Sequence, residues 1–255
     1  MRTPRLWFVV PAHGRLALTA ICLRQLRRTC DTLTANNVEA SAVIVADDEN
    51  LDTARGLGFA TIERDNTFTS RRFNDGIQLA CDPAYNPRPV DYVVPCGSDD
   101  WVHWRLFTEL PRHNTIHAFQ RMAFVREDGR ELTVRHLNNE GGCGIRIYPA
   151  AMMQRSGCRP ADEDRERACD TSILRNLIVD RSLIHGHIVH RDADPLWIVD
   201  WKTKGANLNT YRSVAKRHRA EVTANPFDLL SGVYPAASLR EMRAHYQRRR
   251  TLVAA

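Results

Sequence analysis

One apolar run opens directly into two adjacent carboxylates, and this feature constrains the fold most. Residues 91–96 are largely apolar, and Ser98, Asp99 and Asp100 follow shortly before Trp101. A short buried run bounded by turn residues predicts a strand, so both carboxylates should lie at its carboxyl end. Open α/β sheets place their ligand sites there, and paired carboxylates suit a hard divalent cation. The alternative is an ordinary Asp-rich turn after a strand.

The N-terminal half alternates between strand and helix patterns. The periodicity predicts strands near 6–11, 41–46, 59–63 and 91–96, and helices near 16–29, 50–57 and 70–81. Such alternation predicts an α/β fold with a mostly parallel sheet flanked by helices. Further on, residues 106–110 predict a short helix, and 115–126 with 131–136 predict a hairpin that adds antiparallel strands around the turn 127–130.

Two more segments bring polar groups to the ends of predicted elements. Asp47 and Asp48 follow the apolar run 40–46, where their carboxylates could accept hydrogen bonds from a base edge or a ribose. Two arginines, Arg71 and Arg72, stand with Asn74 at the start of an amphipathic helix. Guanidinium groups beside a helix start suit phosphate oxygens.

In order and spacing, these segments resemble the GT-A glycosyltransferases, most closely the family-2-like inverting enzymes. The resemblance rests on Phe8–Pro11, Asp47–Asp48, Asn74–Gly76 and Gly97–Asp99, and it covers roughly residues 5–205. It implies a Rossmann-like GT-A domain that transfers a hexosyl or pentosyl group from a UDP- or GDP-linked sugar. Gly97 departs from the pattern, because it stands at the first Asp of the metal-binding Asp-x-Asp motif.

The resemblance also implies roles for individual residues. Those implied to bind the nucleotide sugar are Pro11, His13, Arg15, Asp47, Asp48, Arg72, Asn74, Ser98, Asp99, Lys202 and Lys204. For the two lysines, a solvated edge is the alternative interpretation. A Mn²⁺ or Mg²⁺ ion would bind Asp99 and Asp100 together with a C-terminal histidine. His187 is the candidate, with His185 and His190 as alternatives, and imidazole would favour manganese. Satisfied histidines on a partly buried strand are the other interpretation.

Asp170 matches the place where these enzymes carry the acidic residue that deprotonates the acceptor hydroxyl. A carboxylate there would act as the general base. The alternative is a helix N-cap, a position that Asp also favours. Upstream, the glycine-dense segment 138–148 permits close backbone approach to a ligand, as the resemblance implies, or is an ordinary loop.

Bulk properties bound the class of protein. The 255 residues, 43% of them hydrophobic, suffice for one α/β domain with a C-terminal extension. The chain has no apolar run long enough to span a bilayer and no signal peptide pattern, so we expect a soluble, cytoplasmic protein. Seven cysteines without a C-x-x-C pair indicate reduced core thiols.

The tail is strongly basic, and we expect residues 1–210 to form the glycosyltransferase domain and 211–255 a basic helical extension. The net charge is +6, and Arg248, Arg249 and Arg250 cluster near the end. This charge could attract a phosphate backbone, which would make a hydroxymethylated base in DNA a candidate acceptor, as in enzymes of bacteriophages. A protein or glycan acceptor is the alternative. The competing class is a nucleotidyltransferase or a non-catalytic nucleotide-binding protein.

Overall fold

A computed structural model describes most of the chain. The described residues are 2–65, 68–111, 115–136, 143–166, 169–179, 187–202, 211 and 221–254. The strands are β1 (Arg5–Ala12), β2 (Glu39–Ala46), β3 (Ala60–Glu63), β4 (Tyr92–Pro95), β5 (Asp100–Val102), β6 (Thr115–Phe119), β7 (Arg121–Val125), β8 (Glu131–His136), β9 (Arg146–Pro149), β10 (His187–Arg191), β11 (Ile198–Trp201) and β12 (Glu221–Ala224). The α-helices are α1 (Leu16–Ala35), α2 (Asp48–Gly56), α3 (Thr69–Cys81), α4 (Ala150–Arg155), α5 (Cys169–Val179), α6 (Pro226–Leu230) and α7 (Ala236–Ala254).

The main sheet is mostly parallel, as the sequence predicts. Its seven strands run in the order β10-β6-β9-β4-β1-β2-β3. Only β9 pairs antiparallel with its neighbours in this sheet. Since β1, β2 and β4 are parallel, the loops that follow them leave the sheet at one edge, hereafter the carboxyl edge.

Helices cover both faces of this sheet because successive strand residues point in opposite directions. In β1, Leu6, Phe8 and Val10 join a buried cluster with apolar residues of α1 and α2. Val9 joins a second cluster with residues of α3, α4 and α5. The predicted α/β architecture, a mostly parallel sheet flanked by helices, is confirmed.

Gly76 sets how closely α3 approaches the sheet. A Cβ atom at this position would lie 2.5 Å from Val9 Cγ1 and 3.1 Å from Val45 Cγ2. Both valines are fully buried, so neither has free space to move into. A side chain as small as a methyl group would therefore push the helix away from the strands.

A second sheet lies beyond the carboxyl edge, with the order β12-β8-β7-β11-β5. The strand β5 begins at Asp100, directly after the loop that follows β4. It pairs antiparallel with β11, so that Asp200 stands opposite Asp100. This pairing brings a carboxylate from late in the chain to the predicted acidic pair.

The predicted hairpin is partly correct. Its two strands pair antiparallel around residues 126–130 as β7 and β8. The prediction of one continuous strand over 115–126 is wrong, because the chain breaks at Gln120 and divides the segment between two sheets. The hairpin therefore builds the second sheet, and the antiparallel strand of the main sheet is β9.

Two predicted helices also differ. The first continues to Ala35, beyond the predicted end at residue 29, because Leu33 still packs in the core. The predicted helix at 106–110 is instead one 3₁₀ turn over Trp104–Phe107. A second 3₁₀ turn covers Pro195–Trp197, immediately before β11.

The C-terminal helix packs on the body of the fold. Leu239, Met242 and Tyr246 of α7 are buried in a cluster with Trp101 and Trp201. Burying side chains of this size contributes about 1.5–3 kcal/mol each. The apolar face of α7 therefore packs against the rest of the fold. The domain boundary at residue 210 stays a prediction.

All seven cysteines are buried and unpaired, as expected for core thiols. Within the described ranges, we find no helix that combines the length and the apolar character needed to span a membrane.

Candidate functional site

Side chains that follow the ends of three strands, β1, β2 and β4, meet at the carboxyl edge. Arg15, at the start of α1, donates from Nη1 to Asp99 Oδ2 at 2.7 Å and from Nη2 to Ser98 Oγ at 3.0 Å. His13 Nδ1 lies 2.5 Å from Asp47 Oδ2, which joins the ends of β1 and β2. These five residues were all predicted to belong to the nucleotide-sugar site.

Arg15 adopts a left-handed backbone conformation, with φ 48°. A non-glycine residue in this region costs of order 1–3 kcal/mol and is more common at functional positions. The conformation turns the chain from β1 into α1, and the Arg15 guanidinium lies against the loop after β4.

Three carboxylates form an acidic cluster, hereafter the acidic trio, of Asp99, Asp100 and Asp200. One oxygen from each lies within 4.8 Å of the others. Asp99 and Asp100 follow β4, whereas Asp200 comes from β11. In the described part of the chain, this is the one group of three or more acidic, cysteine or histidine side chains spaced to hold a metal ion.

Burial and neighbouring charges shift the pKa values of the three carboxyl groups in different directions. Burial opposes ionisation of Asp99, but the Arg15 guanidinium and the Lys202 ammonium lower its pKa. Burial, together with the charges of Asp200 and Asp99, raises the pKa of Asp100 well above its ordinary value. Burial also raises the pKa of Asp200 to about 6, against the lowering effect of Lys202. Asp100 and Asp200 therefore hold a proton more readily than isolated carboxylates, whereas Asp99 favours the ionised form.

The trio fits a divalent cation. Its donors are hard oxygen atoms, which Mg²⁺ and Mn²⁺ prefer. The buried Oδ1 of Asp200 has no hydrogen-bond partner among the described residues, so an acceptor is left for a cation. Lys202 Nζ pairs with the other oxygen of Asp200, and Arg15 pairs with Asp99. The three carboxylates could thus hold a metal ion beside two protein cations.

The structure gives a physical reason for glycine at position 97, where the Asp-x-Asp pattern has its first aspartate. The Gly97 N–H donates to Asp100 Oδ2 at 2.9 Å. A Cβ atom there would lie 2.6 Å from that oxygen and 3.1 Å from Asp99 Oδ1. The glycine lets the backbone pass close to the two carboxylates, and a side chain at this position would force the Asp100 carboxylate to move.

Besides Asp200, two aromatic residues contact Lys202 near the acidic trio. The Lys202 ammonium group lies 5.4 Å from the centroid of the Phe124 ring. Tyr246 of α7 donates from its hydroxyl to the Lys202 carbonyl at 2.9 Å. The C-terminal helix therefore helps to position a cation of the acidic trio.

Three of the residues predicted to bind the nucleotide sugar make contacts within the fold: Pro11, Arg72 and Asn74. Pro11 is buried within β1. Arg72 is buried on α3 and donates from Nη1 to the carbonyl of Ala12, the last residue of β1, at 3.0 Å. Asn74 exchanges two hydrogen bonds with the backbone of Ala161, at 2.8 and 2.9 Å. Their roles in nucleotide-sugar binding stay predictions.

Asp170 lies in the first turn of α5, which begins at Cys169. The alternative of a helix N-cap at Asp170 is therefore wrong, although a carboxylate in a first turn is still favoured by the helix dipole. Buried Arg146 donates from Nη1 to the Asp170 carbonyl at 2.9 Å and to its Oδ2 at 3.4 Å. Its role as general base stays a prediction.

The backbone of His187 is described but its side chain is not, so its role as a metal ligand stays a prediction. Its backbone begins β10, three strands from β4 in the sheet order and at the opposite edge from Asp99. His190 is exposed further along β10. The side chains of Asp48, His187 and Arg250 lie outside the described part, as do His185, Lys204 and residues 138–142 of the glycine-dense segment. On α7, Arg248 is exposed and Arg249 half-buried.

Sequence reasoning missed Asp200, which supplies the third carboxylate. The signal was available, because Asp200 interrupts the apolar run from Leu196 to Trp201. A single carboxylate within a buried strand requires a charged or hydrogen-bonded partner. Its pairing with β5 could not be read from local sequence.

Comparisons with known proteins find similarity among solved structures, at low sequence identity. No family model matches the sequence, and no curated protein matches it. Among solved structures, glucosyl-3-phosphoglycerate synthase from Mycobacterium tuberculosis superposes with a TM-score of 0.49 at 10% identity, covering 80% of this chain and 74% of that chain. The same enzyme in complex with Mg²⁺ and uridine diphosphate gives a TM-score of 0.46 at 10% identity, covering 74% and 70%. Its complex with Mn²⁺, uridine diphosphate and glucosyl-3-phosphoglycerate gives 0.47 at 10% identity, covering 74% and 71%. Similarity at this distance transfers neither a function nor a residue.

Proposed function

We propose that the protein is a nucleotide-sugar-dependent, inverting glycosyltransferase that uses a UDP- or GDP-linked donor and a divalent metal ion. The observation that carries this proposal is the convergence of Asp99, Asp100 and Asp200 with Arg15 and Lys202 at the carboxyl edge. Ligands of α/β sheets bind at this edge, and mixed acidic and basic groups suit a metal-bound diphosphate.

The acidic trio would hold the metal ion. A bound Mg²⁺ or Mn²⁺ would supply positive charge to the departing nucleoside diphosphate. Arg15 and Lys202 would add fixed cations beside the same oxygens, and their existing ion pairs hold them in place. The exposed His13 and the half-buried Asp47 would meet the nucleoside, with a ribose or base edge as the partner.

Asp170 would take the proton from the acceptor hydroxyl as the general base. Its side chain is about a third exposed, so an acceptor can reach it, and Arg146 fixes its main chain. The nearby Gly144 supports this access, since a Cβ atom there would lie 3.7 Å from Asp170 Oδ2.

The decisive experiment incubates the purified chain with UDP- and GDP-sugars and Mn²⁺ and measures the nucleoside diphosphate released. Release that requires the metal and is lost in Asp99→Asn would support the proposal. Without acceptor, slow hydrolysis of the donor is the expected signal. Absence of release with every donor, with and without candidate acceptors, would contradict it.

A nucleotidyltransferase is the competing enzyme class, since strand-end carboxylates around a divalent ion also serve that reaction. Release of pyrophosphate from a nucleoside triphosphate would favour it. Binding of nucleotide without either product would instead favour a non-catalytic nucleotide-binding protein.

The acceptor would be a hydroxyl group, either of a hydroxymethylated base in DNA or of a protein or glycan. The first class rests on the exposed Arg240, Arg243 and Arg248 of α7, because cations on one helix can attract a phosphate backbone. A base in duplex DNA would also have to leave the stack. Transfer of labelled sugar to hydroxymethylated DNA, compared with glycans, distinguishes the two.

A further inference from the structure

A cavity of about 370 Å³ opens between the 3₁₀ turn at 104–107 and the end of β10. Its lining includes Trp104, Arg105, Glu109, Arg191, Asp192 and Trp197. The volume lies within the range of roughly 300–1,000 Å³ found for small-molecule sites. None of these residues belongs to the acidic trio.

Two indole rings form a firm part of the wall. Trp104 and Trp197 are both half-buried, so part of each ring faces solvent. His103 stacks on Trp197 with ring centroids 5.7 Å apart and planes at 25°, and the backbone N–H of His103 donates to the Trp197 carbonyl at 2.8 Å. The Arg105 guanidinium lies 5.6 Å from the Trp104 ring centroid. Flat aromatic faces held in this way suit a ring-shaped ligand.

The charges of the lining are balanced. Glu109 pairs with Arg191, and Asp192 pairs with Arg121 at 2.6 Å. A site for a polyanion needs an excess of cations. Carboxylate and guanidinium groups that already neutralise each other still have lone pairs and N–H groups for hydroxyls. The lining therefore favours a neutral, hydroxyl-rich ring over a nucleic acid.

Two paired strands connect the cavity to the acidic trio. The antiparallel pair β5 and β11 carries Asp100 and Asp200 at one end and continues to Trp104 and Trp197 at the other. At about 3.3 Å per residue, the indoles lie roughly 10–13 Å along the chain from the carboxylates. That separation exceeds one sugar ring but is within reach of an oligosaccharide.

We propose that this cavity binds a neutral sugar ring of a glycan acceptor, with the reacting hydroxyl on another ring nearer the acidic trio. The assignment as acceptor rests on the proposed glycosyl transfer. The binding of a neutral saccharide does not, and it is measurable without a donor.

The test titrates the full chain with maltose, cellobiose and lactose, following tryptophan fluorescence and binding heat. We expect saturable binding of at least one disaccharide. Trp104→Ala and Trp197→Ala should each weaken it by about tenfold or more, as loss of a central aromatic does. Glu109→Gln should also weaken it without loss of packing, because the Glu109 side chain is 67% exposed.

Tyr85→Ala is the matched control, since this aromatic is 60% exposed in the loop before β4, at the opposite edge of the sheet. It should bind like the wild type. The Trp variants should keep stabilisation by uridine diphosphate and Mn²⁺, whereas Asp99→Asn should lose it and still bind the disaccharide. These two patterns separate failure of the cavity from failure of the proposed function.

Three results would overturn the inference. One is the absence of saturable binding with all three disaccharides. The second is wild-type affinity in the two Trp variants and in Glu109→Gln. The third is binding of a single-stranded oligonucleotide that the Trp variants lose, which would make the cavity a site for stacked bases.

Discussion

The Arg15 guanidinium donates a hydrogen bond to Asp99 Oδ2 at 2.7 Å, across 84 positions of sequence. This contact ties the loop after β1 to the loop after β4. Asp99 consequently has a fixed cation beside it, and burial of the pair makes the arrangement sensitive to either partner.

Asp99→Asn should abolish the stabilisation that Mn²⁺ and uridine diphosphate together give, because one oxygen ligand loses its charge. At a ligand concentration of 100 Kd the wild type should gain about 2.7 kcal/mol, measured as a rise in Tm. Asp31→Asn on the exposed surface of α1 serves as the control and should keep the full rise. An unchanged rise in Asp99→Asn would remove this residue from the site.

Asp170→Asn should lower turnover by about two or more orders of magnitude, the range for loss of a general base. The affinity for the donor should hardly change, which separate kcat and KM values would reveal. Asp164→Asn, on the exposed segment before α5, should retain activity. Wild-type turnover in Asp170→Asn would move the search to Asp162, Glu163 or Asp164.

Gly76→Ala should destabilise the fold by about 1–3 kcal/mol, the usual cost of overpacking a core. The added methyl group would collide with Val9 Cγ1. Denaturant unfolding measures the loss. Gly56→Ala has open space around its Cβ position and should be neutral or slightly stabilising. Equal effects at the two positions would refute close packing at Gly76.

His103 should make stability depend on pH. Burial and the nearby Arg105 charge lower the pKa of His103 to about 4, from 6.5. The folded protein therefore favours the neutral ring, so this contribution is full above pH 6.5 and is lost as the pH falls toward 4. His103→Phe and His103→Asn should both flatten the unfolding free energy over this window. Curves parallel to the wild type would contradict the expectation.

Replacement of Arg248, Arg249 and Arg250 by alanine tests DNA binding by the tail. If the wild type binds duplex DNA, its affinity should fall steeply with salt, and the triple variant should reduce that slope. Stabilisation by uridine diphosphate should be unaffected, because the buried face of α7 stays intact. A wild type without measurable affinity at low salt would leave a protein or glycan as the acceptor.

Local sequence predicted β1, β2, β4 and the helices α1 and α3 because their hydrophobic periods are regular. It also predicted that Asp47 and Asp99 would lie at one edge, since parallel strands end together. The break at Gln120 was not predictable, because an apolar run does not reveal which of two sheets each half will join.

Sequence alone determined which strands end in polar groups, because apolar periodicity and turn residues act over a few positions. Only the tertiary structure decided that Asp200 faces Asp100, that Asn74 binds the backbone of Ala161, and that Tyr246 supports Lys202. The residues in these contacts are 100, 87 and 44 positions apart in the sequence, respectively. Their pairing depends on the register of strands and the docking of helices, and those follow from packing of the whole core.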